Sequence, residues 1–198
     1  MTHKLLLEFP SQFTSPRLLL RSYQPGDGPM YFLVAQKNRQ HLQRFEAQNS
    51  LMTIDTPERA EIVVREMHAA WQSREYFFLG AFERGSGEFA AQVYIGPVDW
   101  DTPEFVIGYI ADAAHEGQGY VSEAVQAALD FIFTYFQAHR ISLHCDDANV
   151  RSWKLAERCG FKLEARLREN RRNPDGSFST ERVYGMLRSE YTAGTEYA

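Results

Sequence analysis

The sequence predicts a mixed α/β domain of the α+β type, in which a mostly antiparallel sheet of about seven strands is flanked by helices. Two observations carry this prediction. After a glycine-bearing turn near residue 117, apolar residues recur with the period of an α-helix. Before and after that helix, short apolar runs bounded by Gly and Pro turns have the length of strands. The 198 residues are most simply one domain, 1–198, with tails at about 1–13 and 190–198.

The individual elements follow from the same patterns. The predicted strands lie at about 14–21, 76–82, 89–95, 104–110, 141–145, 162–168 and 180–187. The predicted helices lie at about 30–45, 57–73, 121–136 and 150–158. Thr56-Pro57-Glu58 indicates a helix start, because Thr caps, Pro fits the first turn and Glu favours the helix dipole. Gly160 is typical of a left-handed residue that closes a helix.

Composition and charge limit the classes of function. Hydrophobic residues make up 44% and charged residues 24% of the chain, near the average for a soluble globular protein. The net charge of −5 argues against unaided binding to nucleic acid and favours cationic partners such as amines. No run approaches the roughly 20 apolar residues that span a bilayer, so a cytoplasmic protein without membrane contact is expected. Cys145 and Cys159 lack metal-ligand spacing and are interpreted as small buried hydrophobes, with no metal site expected.

The glycine-bearing turn is the strongest candidate for a binding site. Gly117 and Gly119 allow positive φ, so that several N–H groups can point into one concavity. The helix that follows has one apolar stripe: Val121, Ala124, Val125, Ala128, Leu129, Ile132 and Phe136. The turn therefore lies at a helix N-terminus, which favours a phosphate or pyrophosphate. Neither a Walker A loop nor a G-x-G-x-x-G dinucleotide fingerprint fits this spacing.

The stretch Glu116-Gly117-Gln118-Gly119-Tyr120-Val121 resembles motif A of the GCN5-related N-acetyltransferases, Q/R-x-x-G-x-G/A. Glu116 replaces Gln or Arg, and Val121 replaces a small residue. The core G-x-G-Y followed by S-E-A resembles the ribosomal-protein-acetylating, RimJ/RimL-type branch. This resemblance implies the GNAT fold, with a sheet splayed between its two central strands, and acetyl-CoA as cosubstrate. The residues that it implies for the pyrophosphate are Gly117, Gln118, Gly119, Tyr120, Val121 and Ser122.

A second segment, Asn149-Val150-Arg151-Ser152 with Glu157–Phe161 behind it, resembles motif B of the same family. Many members carry a Tyr seven residues after the Asn, where its hydroxyl protonates the departing coenzyme A thiolate, and this chain has Ala156 there. The resemblance implies that Ser152 assists the thiolate instead and that Asn149 bonds to backbone or pantetheine. The alternative is that Asn149 is a helix N-cap and Ser152 an ordinary first-turn residue.

The strand before the turn supplies the remaining candidates. By resemblance, Tyr109, Ile110 and Ala111 hold pantetheine through their backbone, and the N–H of Ile110 stabilises the oxyanion. Val106 stands where this branch often carries a Glu, so Glu104, two residues earlier, is the first candidate for the general base. The other candidates are Asp112, His41, His115 and Glu46. Arg171 and Arg172 precede the last turn and could steer an anionic ligand or form a solvated charge cluster.

The resemblance implies an acetyl-CoA-dependent N-acetyltransferase that transfers acetyl directly to a primary amine, in the first place a protein N-terminal α-amine. The alternatives are an acetyltransferase for a small amine, such as an aminoglycoside, polyamine or amino-acid derivative, and a non-catalytic acyl-CoA-binding module. Relatives commonly pair, so a homodimer is a further expectation. Because Glu116 places a negative charge beside the expected pyrophosphate, Glu116→Gln is predicted to tighten coenzyme A binding.

Overall fold

The computed structural model of the chain describes residues 3–47, 49–173 and 175–192. Its helices are α1 (Gly28–Leu42), α2 (Pro57–Ser73), α3 (Tyr120–Tyr135) and α4 (Val150–Arg158). Its strands are β1 (Gln12–Thr14), β2 (Leu18–Ser22), β3 (Phe77–Glu83), β4 (Phe89–Asp99), β5 (Glu104–Ala111), β6 (Arg140–Asp146), β7 (Lys162–Arg172) and β8 (Phe178–Leu187). Across these residues eight strands form one sheet, so the predicted mixed sheet flanked by helices is confirmed, with one strand more than expected.

The strand order of the sheet is β1-β2-β3-β4-β5-β6-β8-β7. All neighbouring strands are antiparallel except β5 and β6, which are parallel. A parallel pair needs a crossover connection, and α3 supplies it. The glycine turn and the helix that follows it therefore lie between these two strands in the chain order.

The two faces of the sheet carry different helices. On β5, Ile107 and Tyr109 pack in the core that contains α3 and α4, whereas Ile110 packs in the core that contains α1 and much of α2. This division follows from the alternation of side chains along a strand. Any ligand that approaches from the α1/α2 face is thus separated by the sheet from a ligand on the α3/α4 face.

The sheet opens between β5 and β6. Their pairing runs from Glu104 opposite Arg140 to Ile107 opposite Leu143 and then stops. Beyond that point β5 stays paired with β4 as far as Ala111, and β6 stays paired with β8 as far as Asp146. The two strands therefore diverge in a V, and the predicted splay between the central strands is confirmed.

The segment expected to be an N-terminal tail is ordered within its described part, residues 3–13. It contains a short 3₁₀ helix, Lys4–Leu6, and leads into β1, which pairs with β2. The ring of Phe9 lies 5.0–5.7 Å from the rings of Trp71, Phe77, Phe131 and Phe136, in edge-on arrangements. Such aromatic pairs stabilise a core beyond the area they bury, which explains why this segment is not a free tail.

The capping predictions are confirmed. The Thr56 hydroxyl accepts a hydrogen bond from the Arg59 N–H at 3.1 Å, and α2 begins at Pro57. Gly160 follows α4 with a φ of +92°. At the other end of the chain, Tyr191 stacks on Phe133, whereas positions 193–198 of the predicted tail and Pro174 of the last turn lie outside the described residues. No helix in the described ranges is long and apolar enough to cross a membrane.

Candidate active site

The glycine turn is an exposed cradle at the start of α3. Gly117 and Gly119 have φ values of +74° and +80°, the left-handed conformation that only glycine adopts freely. A side chain added at Gly117 would meet nothing within 4 Å, so the space in front of the turn is open. Gly119 is the N-cap and has no side chain to cover the first-turn N–H groups of α3. The predicted anion site is therefore geometrically present.

Sequence reasoning missed the support of this turn, which comes from the segment before β2. Glu123, 3% exposed, accepts hydrogen bonds from the Ser15 hydroxyl at 2.6 Å, the Arg17 N–H at 2.7 Å and Arg17 Nε at 2.6 Å. Arg17 also donates to the carbonyl of Gln118 at 3.0 Å and lies over the ring of Tyr120. Burial alone would raise the pKa of Glu123, but these donors lower it overall. Arg17 thus fixes the turn and places a positive charge next to it.

Glu116 lies in an ion pair rather than facing the turn as an isolated charge. Both of its carboxylate oxygens are 2.6 Å from Arg151 in the first turn of α4, and His41 Nε2 lies 3.6 Å from Oε1. The guanidinium offsets the negative charge that the sequence placed beside the expected pyrophosphate. Glu116 therefore connects the glycine turn to α4.

Ser152 and Asn149 lie at the start of α4, on the α3/α4 face. Asn149 Oδ1 accepts a hydrogen bond from the Ser152 N–H at 3.3 Å, which is the geometry of the N-cap considered as the alternative. Ser152 is also tied to β5. The Tyr109 hydroxyl donates to the Ser152 carbonyl at 3.0 Å and lies 3.1 Å from Ser152 Oγ. Burial raises the pKa of Tyr109, so its hydroxyl stays protonated.

The backbone of β5 corrects the prediction for Ile110. The Asp112 N–H donates to the Ala90 carbonyl, and the register of β4 and β5 is regular from Phe105 to Ala111. Because backbone groups alternate sides along a strand, the N–H of Ile110 points towards β4. The N–H groups of Tyr109 and Ala111 face the splay instead. The N–H groups of this strand that face the opening, and so can donate to a ligand there, are therefore those two.

A cavity of about 430 Å³ lies at the splay and extends to the α1/α2 face. The diverging strands form its floor, Phe78 and Tyr94 form an aromatic wall, and the connection after α1 closes one side. Its lining residues are Glu46, Asn49, Ser50, Phe78, Gln92, Tyr94, Val106, Ile107, Gly108, Tyr109, Ile110, Leu143, His144 and Arg171. Tyr109, which lines the cavity, also contacts Ser152 through its hydroxyl.

Glu46 is the carboxylate that the structure brings to this cavity. No other Asp or Glu lines it within the described part of the chain. Its backbone is held by hydrogen bonds to Leu42 and Asn49. Burial raises the pKa of Glu46, and the Asn49 side chain and the charge of Arg171 offset part of that shift. A carboxylate in this environment can accept a proton from an ammonium group.

The other candidate bases are engaged elsewhere. Glu104 does not line the cavity and pairs with Arg140 at 3.3 Å at the closed end of the splay. Asp112 is 1% exposed and bonds to Lys37, Asn38 and His115 at 2.8–2.9 Å. Burial would raise the pKa of Asp112, but these three partners lower it overall. Asp112 and His115 thus anchor the loop after β5 to α1.

The family follows from a comparison of the whole chain. Residues 17–162 match the model of an acetyltransferase (GNAT) domain. The chain belongs to the GNAT acetyltransferase family. The match begins at Arg17, which supports the glycine turn, and includes both motifs that the sequence pointed to.

Solved GNAT structures share this fold. RimL, a ribosomal L7/L12 alpha-N-protein acetyltransferase in complex with coenzyme A, aligns with a TM-score of 0.79 and 21% identity over 87% of this chain and 95% of its own. The ribosomal-protein-S5-alanine acetyltransferase from Vibrio fischeri aligns with a TM-score of 0.81 and 18% identity over 91% and 98%. At these identities the likeness establishes the fold.

Curated relatives are similar over shorter segments. The spermidine N(1)-acetyltransferase of Vibrio cholerae is 35% identical over 86 residues, which is 41% of this chain and 47% of that protein. The matches to the first curated relatives span 35% to 52% of those proteins' length.

The residues present fit the coenzyme A of GNAT proteins. The open space at Gly117, the uncapped N-terminus of α3 and the Arg17 guanidinium suit a pyrophosphate. The unpaired edge of β5 beyond Ile107 suits amide groups that pair as a strand does. Both cysteines are buried and free, and burial raises the pKa of each thiol to about 11, which leaves them unreactive.

Proposed function

We propose that the chain is an acetyl-CoA-dependent N-acetyltransferase that transfers acetyl directly to a primary amine, with no covalent intermediate on the protein. The observation that carries this proposal is the splay of β5 and β6. Beyond Ile107, the edge of β5 that no longer pairs with β6 lines a cavity with one carboxylate, Glu46, among the described residues, and the same strand leads into the anion cradle at the start of α3. A thioester and an amine bound on opposite faces can therefore meet within the sheet.

On the coenzyme side, the bound cosubstrate supplies an activated acetyl group as a thioester. Residues Gly117 to Ser122 bind its pyrophosphate through backbone N–H groups. The N–H of Tyr109 or Ala111 stabilises negative charge on the acetyl oxygen. Ser152, oriented by Tyr109, donates a hydrogen bond to the departing thiolate. Since a thiol has a pKa of about 8.5, this assistance accelerates the reaction without being indispensable.

On the acceptor side, we propose a protein N-terminal α-amine. An α-amine has a pKa near 7.7–8.0, whereas a lysine amine near 10.4 is far more costly to deprotonate at pH 7. Glu46, the one carboxylate that lines the cavity within the described residues, is suited to deprotonating an α-amine. The similarity to RimL and to the S5-alanine acetyltransferase supports the same acceptor class.

A small amine is the second candidate. The similarity to a spermidine N(1)-acetyltransferase favours it, and acceptor loops vary freely on a shared fold. A non-catalytic acyl-CoA-binding module is the remaining alternative. We further propose that the protein acts in the cytoplasm and, because its net charge is −5, binds no nucleic acid. The resemblance to the RimJ/RimL-type branch supports the further proposal of a homodimer.

Calorimetry with acetyl-CoA, followed by a panel of amines, tests the proposal. We expect a dissociation constant in the micromolar range and consumption of acetyl-CoA with peptides that carry a free N-terminus. Turnover with spermidine or aminoglycosides alone would favour the small-amine alternative. Binding without turnover of any amine would favour the module, and absence of binding would refute the proposal.

A further inference from the structure

The cavity on the α1/α2 face presents two opposite charges to whatever amine enters it. Glu46 stands on the connection after α1, and Arg171 stands near the end of β7. They come from segments that are far apart in sequence, and both line the same cavity. Burial raises the pKa of Glu46, and the charge of Arg171 offsets part of that rise.

Both groups are available to a ligand. Asn49, at 3.4 Å, is the hydrogen-bond partner of the Glu46 side chain within the described ranges. Over the same ranges the Arg171 guanidinium has no ion pair, whereas Arg166 and Arg182 are both held by Asp147. Arg171 is exposed, so keeping it unpaired costs little. An unpaired guanidinium in a cavity is suited to a carboxylate or phosphate, which it binds in bidentate fashion.

A polycation fits this arrangement poorly. Spermidine carries several ammonium groups and would place at least one of them near Arg171, where like charges repel. The rest of the lining is uncharged or aromatic apart from His144, so no second carboxylate offsets that repulsion within the described residues. An amine with an anionic group a few atoms away complements both ends of the cavity.

We propose that the acceptor is an amine that also carries an anionic group: Glu46 binds the ammonium and Arg171 binds the anion. This inference rests on the proposed function and specifies its substrate class. Two sources share this chemistry. One is a peptide with a free N-terminal amine followed by an acidic residue, and the other is a free acidic amino acid.

Direct binding to the full chain without acetyl-CoA tests the inference. The probes are pentapeptide amides that begin Ser-Asp, Ser-Asn or Ser-Lys, the N-acetylated Ser-Asp peptide, free aspartate, and spermidine. We expect the Ser-Asp peptide to bind at least about tenfold more tightly than the Ser-Lys peptide and spermidine, which corresponds to about 1.4 kcal/mol. N-acetylation should weaken binding of the Ser-Asp peptide by a similar factor, because it removes the ammonium that Glu46 binds.

Variants assign the two roles. Arg171→Gln should abolish the preference for Asp over Asn and leave affinity for the Ser-Asn peptide unchanged. Glu46→Gln should weaken every free-amine peptide about tenfold. The matched controls are Arg172→Gln, next in sequence but not lining the cavity, and Glu66→Gln on α2, and neither should change affinity. Melting temperatures show whether each variant is folded.

The outcomes separate this inference from the proposed function. Preference for the Ser-Lys peptide or spermidine, unchanged affinities in both cavity variants, or no binding of any probe would overturn the inference. Affinity of free aspartate equal to that of the Ser-Asp peptide supports it with a small acceptor, and weaker affinity supports it with a peptide acceptor. Coenzyme A binding is measured on the same samples, and its absence would instead refute the proposed function.

Discussion

Ser152 lies against Tyr109, and this contact decides how the serine can act. The Tyr109 hydroxyl holds both the carbonyl and Oγ of Ser152, at 3.0 and 3.1 Å. The serine hydroxyl is thereby oriented by a neighbour from β5 that stays protonated because burial raises its pKa. Tyr109 is thus a positioning residue for the proposed thiolate donor.

Ser152→Ala should lower kcat about tenfold, the value of roughly one hydrogen bond to a charged group, with KM for acetyl-CoA nearly unchanged. Tyr109→Phe should lower kcat by about three- to tenfold for the same reason. If Tyr109 acts through Ser152, the double variant is no slower than Ser152→Ala alone. Steady-state kinetics on all three variants check this, and fully additive losses would show that Tyr109 has an independent role.

The charge of Glu116 should affect the affinity for coenzyme A. Glu116→Gln removes a negative charge next to the turn and releases Arg151, whose side chain is 79% exposed. We expect coenzyme A to bind about threefold more tightly at low ionic strength, with a smaller gain at 0.5 M salt because such charges are screened. Calorimetry measures this, with Glu66→Gln as control. Weaker binding would contradict the placement of the pyrophosphate at this turn.

At the scale of the element, α3 depends on a contact that its own sequence does not contain. The Glu123 carboxylate in the first turn of α3 is buried and accepts a hydrogen bond from the side chain of Arg17, which is 106 positions away. Negative charge near a helix N-terminus also favours the helix dipole. Together these bonds hold α3 in the register that presents the glycine turn.

Glu123→Gln should destabilise the fold by about 2–3 kcal/mol at pH 7, because the neutral amide loses the charge-assisted bonds from Arg17 and Ser15. The folded state lowers the pKa of Glu123 below its ordinary value of 4.5. This stability is therefore fully present above about pH 4.5 and is lost as the pH falls through the folded pKa. Urea unfolding at pH 7, 5 and 3 checks whether the free energies of unfolding of the native chain and the variant become equal in acid.

The control is Glu58→Gln, an exposed carboxylate in the first turn of α2. It should cost less than about 1 kcal/mol, the usual range for an exposed charge at a helix N-terminus. If the loss of stability in Glu123→Gln is the same at pH 3 as at pH 7, packing rather than the charge of the carboxylate accounts for it.

At the scale of the whole molecule, a ligand seated in the splay bridges β5, β6, α3 and α4. Such a ligand binds the folded chain and not the unfolded one. Coenzyme A at 100 times its dissociation constant should stabilise the fold by about 2.7 kcal/mol. For a chain of this size that corresponds to a rise in melting temperature of roughly 5–10 °C.

Thermal unfolding with and without coenzyme A measures this rise. Gly117→Ala should reduce it strongly, because a φ of +74° is strained for alanine and the added methyl group faces the cradle. Gly85→Ala in the β3–β4 hairpin, where an added carbon meets nothing within 4 Å, should preserve it. Equal shifts in both variants would contradict a pyrophosphate site at Gly117.

The helices, strands and local motifs could be predicted from the amino-acid sequence alone. The apolar stripe of α3, the strands β3 and β4, the Thr56 cap and the positive φ of Gly117 and Gly119 all depend on residues close in the chain, and the structure confirms them. Periodicity and backbone preference act over one to a few turns, so the sequence can express them directly.

Contacts between residues far apart in the chain could not be predicted in this way, because they depend on how the elements pack. The direction of the Ile110 N–H depends on which side of β5 faces β4. The ion pair of Glu104 with Arg140 forms because β6 is the parallel neighbour of β5. The packing of Phe9 depends on aromatic rings from three other elements. The cavity joins Glu46 to Arg171 because the loop after α1 and the end of β7 converge over the splay. These contacts depend on strand order and long-range packing, which no local pattern of residues specifies.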